Sequence, residues 1–355
     1  MDLTETPPGV MPLTFVVGTG RSGSTALSRV LRLHPDLLSL NELLAGTMLA
    51  DTLGEEPVPG EEFWHWLTRP TPFFDRMIRS GTPLPEFLYN RLTGVRYSAD
   101  TTGIPAVCLM VLPHLTDDPD TLLDTLEPEV TRWPVRPGPR HWEALFTTLG
   151  PGSRAAVERS GYSLNRLPEL RRAFPYARFV HLYRDGPDCA VSMSRHPGYR
   201  LITQLRELAE VCGVDDLSQL TEERVAKAPP HLTALLADRF DPALVRDREM
   251  PVARFGALWS ELIAEGVGHL GAVPARARTT LVYEELLAEP RRELARLAAF
   301  LGVGAPGEWL EAGAATLDSS RVGTALRLPP DELAELRAVC APGEEALRLA
   351  AGDAP

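Results

Sequence analysis

An apolar run, Leu13 to Val17, passes without a break into Gly18-Thr19-Gly20-Arg21-Ser22-Gly23-Ser24-Thr25. Ala26 to Leu33 follow, with Leu27, Val30 and Leu31 at helical spacing. Strand, glycine-rich turn and helix in immediate succession restrict this chain more than any other feature. A buried strand feeding a helix calls for a parallel sheet in a layered α/β architecture. The turn itself makes a cradle for anionic oxygen. Its glycines let backbone N–H groups come close, and the helix N-terminus adds about half a positive charge. Gly18-x-x-x-x-Gly23-x-Thr25 has the spacing of a phosphate-binding P-loop. Ser24 stands where that loop carries its Lys, and Arg21 is the cation instead.

In a nucleoside triphosphatase the loop Lys reaches the β- and γ-phosphates, and the next hydroxyl residue holds Mg²⁺. The chain has one lysine, Lys227, so Arg21 would serve an anion by itself. Gly18-Thr19-Gly20-Arg21-Ser22-Gly23 also matches the dinucleotide spacing G-x-G-x-x-G, with Glu42 at about the distance of a ribose-binding acid. That rival fits poorly, because no clear second strand ending in an acidic residue completes a compact βαβ unit.

A second informative stretch begins with the strand Arg178 to Tyr183, the strongest in the chain, and continues through the turn Arg184-Asp185-Gly186-Pro187. A basic residue just past a buried strand lies at the carboxyl edge of the sheet, where α/β ligands bind. Ser192 follows Arg184 by eight residues, about two helical turns, so the two could hold one phosphate together. The bland alternative pairs Arg184 with Asp185 or Asp188.

The loop GTGRSGST resembles the 5′-phosphosulfate loop of sulfotransferases that use 3′-phosphoadenosine 5′-phosphosulfate (PAPS), among them protein-tyrosine and bacterial small-molecule members. Arg184 to Ser192 is similar to the 3′-phosphate motif of the same superfamily, and Tyr283-Glu284-Glu285-Leu286 resembles its Y-E-x-L sequence. The resemblance implies that Gly20, Ser22, Gly23, Ser24 and Thr25, with Arg21, hold the phosphosulfate, and that Arg184 and Ser192 bind the 3′-phosphate. Glu42, shortly after His34-Pro35-Asp36, matches the catalytic base of the protein-tyrosine members. The competing bases are His65, His114 and His141, since phenol and steroid members use a histidine. His34 and His181 read as structural. Arg159 stands where relatives carry a Lys, and the resemblance implies a phosphosulfate contact in which it aids Arg21 in neutralising charge on the transferring sulfuryl group and the leaving phosphate. Arg321, in Ser319 to Gly323, is the candidate from a C-terminal nucleotide-binding loop.

Between Leu43 and Gly150 the α/β rhythm is lost. This stretch is rich in proline and holds four of the six tryptophans, Trp64, Trp66, Trp133 and Trp142. Helices are expected near 61–67, 84–91, 120–126 and 140–149, forming an insertion (43–150) over one sheet edge that supplies the acceptor pocket. Further elements are expected as a strand at 154–158, with Arg159 in the loop after it, and a helix at 165–174. A strand at 279–283 and a helix at 290–301 follow. A mostly loop-like stretch beyond Pro306 then leads to a C-terminal helix at 330–340. The expected fold is one α/β domain over 1–355, a three-layer P-loop-like parallel sheet flanked by helices.

A net charge of −12 and a pI near 5.2 argue against nucleic acid as a main partner. All but one of the 36 basic residues are arginine, which, with abundant Ala, Pro and Gly, suggests a high-GC bacterial gene. The four cysteines are scattered, so a reduced, cytoplasmic protein is expected. No basic-then-apolar leader opens the sequence, and no apolar run approaches the ~20 residues of a membrane span. No Asp/His cluster resembles a metal site. The expectation is a PAPS-dependent sulfotransferase acting on a small-molecule hydroxyl acceptor that is bulky or partly apolar, such as a phenol, glycolipid or natural product. The alternatives are a P-loop phosphotransferase and a nucleotide-binding module without turnover.

Overall fold

The computed structural model describes residues 6–47 and 50–352. Strand β1 (Leu13–Val17) is buried along its whole length, and the glycine loop carries it into helix α1 (Ser24–Arg32). The helix stops at Leu33, since the residue before Pro35 is pushed out of helical conformation. The chain returns as β2 (Leu37–Asn41) and runs directly into Glu42. The second strand that the dinucleotide reading lacked therefore exists and ends beside an acid. It still completes no compact βαβ unit, because it does not pair with β1.

What pairs with both is β3 (Ala155–Arg159), which lies between them. With β4 (Arg178–Tyr183) and β5 (Arg278–Val282) the sheet order is β2-β3-β1-β4-β5, parallel throughout. Arg159 is the last residue of β3 and not part of the following loop, as its sequence suggested. It stands opposite Val16 on one side and Asn41 on the other. The carboxyl ends of β1, β2 and β3 therefore open onto one edge.

Side chains alternate across the sheet with the strand period of two. Phe15 and Val17 join the larger core, with the insertion and helix Val252–Gly271 (αC). Val16 joins the smaller core with Leu27, Val30 and Leu31 of α1 and Leu294 and Leu297 of helix Pro290–Leu301. At the centre of the larger core the Phe15 ring lies 5.6 Å from Phe174 and 5.8 Å from Phe179.

In the insertion, helices form at Gly60–Thr68, Pro119–Val130 and Gly138–Leu149, near three of the expected positions. The fourth expectation is corrected. Residues 84–91 hold only a short 3-10 turn, Tyr89–Arg91, and the helix is instead Pro72–Arg79, with a proline in its first turn. The expected helix at 165–174 is shorter, Leu167–Ala173, with a 3-10 turn before it. Another helix, Gly307–Thr316, lies where a loop was expected, docked by Trp309 Nε1 donating to Val30 O at 2.9 Å. The C-terminal helix runs on through Pro342, from Pro330 to Gly352. Packing along αC overrides the break: Gly343 N donates to Ser260 Oγ at 2.7 Å. No helix among the described residues is long and apolar enough to cross a membrane.

Phe15 is fully buried in a central strand. Phe15→Ala should therefore lower unfolding free energy by about 3–5 kcal/mol, the usual range for a large aromatic lost from a core. Urea titration checks this, and an unchanged midpoint would contradict the packing described.

Candidate active site

The described residues include three non-glycine residues with left-handed backbone, Arg21 (φ 58°), Glu42 (φ 57°) and Tyr162 (φ 56°). Such residues cost of order 1–3 kcal/mol each and persist only where the surroundings impose them. All three line the same cavity.

The glycine loop is imposed by close contacts. A Cβ on Gly20 (φ 76°) would lie 1.9 Å from the Tyr199 hydroxyl, which donates to Thr19 O. On Gly23 (φ 89°) it would lie 2.1 Å from the Tyr283 ring. Gly23 is also the N-cap of α1, with no side-chain cap and no acid in the first turn. The helix N–H groups are thus left for an anion. Ser22 is buried with its hydroxyl unpartnered, and Thr25 is exposed.

Two cavities, each of about 280 Å³, meet at this loop. One is basic: Arg21, Arg184, Ser192, Arg195, His196, Arg321 and Thr324 line it. Arg21 Nε donates to Ser192 Oγ at 3.2 Å. Arg184 does pair with Asp188, 3.1 Å from Nη2 to Oδ2, and Nη2 also donates to Arg321 O. That pairing leaves Arg184 Nε buried without a hydrogen-bond partner, while the guanidinium sits 5.3 Å from the centre of the Tyr283 ring. Asp188 meanwhile accepts from Gly323 N (2.7 Å), Ala325 N (2.8 Å) and Thr324 Oγ1 (3.1 Å). This one buried carboxylate ties the loop carrying Arg321 to the helix carrying Ser192. Sequence reasoning considered Asp188 only as a partner for Arg184.

The other cavity is largely apolar. Leu44, Phe73, Phe74, Met77, Leu84, Met110, Tyr199 and Ile202 line it, and Gly20, Arg21, Ser24, Glu42, Glu86, Arg166 and His196 supply its polar groups. Arg21 and His196 line both cavities. Arg21 Nη1 lies 3.2 Å from Glu86 Oε1, and His196 Nε2 lies 3.1 Å from Glu86 Oε2. Neither Glu86 nor His196 was anticipated. The usable signal was His196-Pro197, a helix start in which the ring accepts from Gly198 N at 3.2 Å.

Glu42 is held at its corner by four consecutive residues of β3 and the loop after it. Glu42 N donates to Arg159 O at 2.8 Å, and the Glu42 carboxylate accepts from Arg159 Nη1. Gly161 N lies 3.1 Å from Glu42 Oε2 and 3.3 Å from Oε1. Glu158 Oε1 accepts from Leu43 N at 3.1 Å, and Ser160 Oγ accepts from Leu44 N at 3.1 Å while donating to Glu158 at 2.6 Å. Burial raises the Glu42 carboxyl above the usual carboxylate range, outweighing Arg159 and Gly161, which lower it. Arg159, expected at the phosphosulfate, is buried against Glu42 with Nε and Nη2 unpartnered and lines neither cavity.

None of the competing histidines lines either cavity. His65 is exposed on its helix. His114 is buried 3.5 Å from Ser39 Oγ, and burial with nearby Arg159 and Arg32 brings it down to about 4. His141 stacks on Phe63 and Trp133, with Nε2 2.9 Å from Val58 O. Among the described residues no group of three or more His, Cys, Asp or Glu could hold a metal ion.

Residues 12–241 match the model of a sulfotransferase family, and the chain belongs to that family. PAPS is the co-substrate which membership implies, and the uncapped α1 N-terminus, the Arg184 Nε that makes no hydrogen bond and lies 4.0 Å from Glu284 Oε1, and the arginine-lined cavity suit such an anion. Among solved structures the chain is similar to the sulfotransferase domain from the curacin biosynthetic pathway, at 17% identity and TM-score 0.47, covering 95% of this chain and 99% of that one. It is also similar to the sulfotransferase domain of the Synechococcus PCC 7002 olefin synthase, at 17% identity and TM-score 0.45, covering 99% and 98%. A sulfotransferase from Mycobacterium avium matches at 15% identity and TM-score 0.44, covering 96% and 77%. No curated protein sequence matches this chain.

Glu158 gives a test of the corner. Burial, with Glu42 adding and Ser160 opposing, pushes its carboxyl up to about 8. The folded protein therefore keeps a proton that the unfolded chain loses near its ordinary value of about 4.3. Stability should fall as pH rises from about 4.5 to about 8 and level off above that. Glu158→Gln should remove that part of the slope in urea titrations across this window. Parallel curves for the two proteins would refute the assignment.

Proposed function

We propose that this sulfotransferase moves the sulfuryl group of PAPS to a hydroxyl of a small, largely apolar acceptor. The observation that carries the reading is Arg21, which stands in the wall between the basic and the apolar cavity and lines both. The basic cavity would take the nucleotide, with Arg184, Ser192 and Arg321 around the 3′-phosphate and the backbone of Gly20–Thr25 at the 5′ end. The apolar cavity, to which the insertion contributes most of the apolar side chains, would take the acceptor, a phenol, glycolipid or natural product. Glu42, on the acceptor side, would receive the hydroxyl proton as the acceptor oxygen bonds to sulfur and the bond from sulfur to the phosphate oxygen breaks. Its raised affinity for a proton suits a base working near neutral pH. Arg21 would neutralise charge on the transferring group and the departing phosphate. Arg159 would act by holding Glu42.

The nucleotide assignment is tested by melting temperature. The 3′,5′-bisphosphate of adenosine should raise it, by the equivalent of about 2.7 kcal/mol at 100 times the dissociation constant. Adenosine 5′-phosphate should act far less, and equal shifts would remove Arg184 and Ser192 from the 3′-phosphate.

For the base, Glu42→Gln keeps the size and one oxygen that can accept from Arg159, while its amide nitrogen accepts neither from Gly161 N nor a proton. It should lower kcat by about 10²–10⁴-fold and leave nucleotide affinity nearly unchanged. Near-normal kcat in this variant would exclude Glu42.

A further inference from the structure

The polar end of the apolar cavity holds two carboxylates, Glu42 from the sheet edge and Glu86 from the insertion. Their charges are balanced differently. Glu42 has the buried Arg159 to itself. Glu86 shares Arg21, whose other hydrogen bond runs to Ser192 in the basic cavity. The remaining partner of Glu86 is the His196 ring. His196 Nδ1 accepts from Gly198 N, so its proton sits on Nε2 and is donated to Glu86. Burial would raise Glu86, yet the hydrogen bond from His196 and the charge of Arg21 lower it, so it stays ionised at working pH.

Once an anionic sulfuryl donor engages Arg21, that one cation serves two anions. Among the described residues the one other arginine lining the cavity, Arg166, is already paired with Glu169 at 2.6 Å. The rest of the wall, such as Phe73, Phe74 and Met110, offers no charge. The loaded acceptor site therefore presents a surplus negative charge in a place where water and salt screen poorly.

We infer that Glu86 is a specificity-determining residue, which makes the site accept uncharged or ammonium-bearing hydroxyl compounds and reject those carrying a carboxylate. The inference rests on the sulfuryl-transfer reading, with Arg21 at the donor. Its physical basis is repulsion: a like charge brought against a partly buried carboxylate is disfavoured, whereas a neutral ring fills the apolar wall without conflict.

Three phenols that differ mainly in charge test it: p-cresol, tyramine and 4-hydroxyphenylacetate, at saturating PAPS. The acid should show kcat/KM at least about 10-fold below p-cresol, with tyramine at or above p-cresol. In Glu86→Gln, and in Glu86→Ala as a second variant, the gap between p-cresol and the acid should narrow toward unity. Any general loss from a misaligned Arg21 cancels in that ratio. Equal rates in the wild-type protein, or a gap that both variants preserve, would overturn the inference. Calorimetry on the protein loaded with adenosine 3′,5′-bisphosphate gives the same comparison without turnover, and binding by none of the three phenols would also overturn it. Failure of the underlying reading appears separately, as a protein that does not bind the bisphosphate at all.

Discussion

The site depends on one pairing, the parallel insertion of β3 between β1 and β2. Arg159 at its end stands opposite Val16 and Asn41 at once. Ligands of open parallel sheets bind beyond the carboxyl ends of the strands. Here that edge gathers the glycine loop after β1, Glu42 after β2 and the 159–161 turn after β3. Without β3 in the middle, Glu42 would lose the backbone acceptor, the guanidinium and the Gly161 amide that hold it.

Charge is managed at this edge by pairing acids and bases across layers. A buried ion pair is weak evidence for stability, because desolvation offsets most of the attraction. Glu42–Arg159 and Glu86–Arg21 are better understood as holding functional groups in place. Left-handed backbone at Arg21 and Glu42 fits that view, since a relaxed loop would not keep these conformations. The two pairs differ in permanence. Arg159 is enclosed and serves Glu42, whereas Arg21 is partly open and borders both cavities.

Asp188 extends the same logic to the far end of the chain. By accepting from Gly323, Thr324 and Ala325 it places Arg321 at the basic cavity. A nucleotide there would touch groups from β1, from β4 and its helix, and from the C-terminal loop, so three separate segments must be folded before the cavity exists.

Much of this was legible in the residues. The apolar run into Gly18–Thr25 dictated a strand, a tight turn and a helix, because glycines at a strand end take up the positive φ of a tight turn that other residues resist. Arg184 and Ser192 were legible for the same reason, a strong strand followed by a helix of known pitch. Local sequence could not say which strand lies next to which, because register and order are set by packing between distant segments. It therefore showed no clear second strand before Glu42 and showed Arg159 as a loop residue. Nor could it find Glu86 and His196, which carry no motif and become a site only when the insertion folds against the sheet edge. The sequence by itself determined the glycine turn between strand and helix and the α/β class, through steric and periodic rules that act over a few residues. Tertiary structure alone decided which cations face the cavities and which acid is held at the sheet edge by Arg159 and Gly161, because burial and pairing depend on neighbours a hundred residues away.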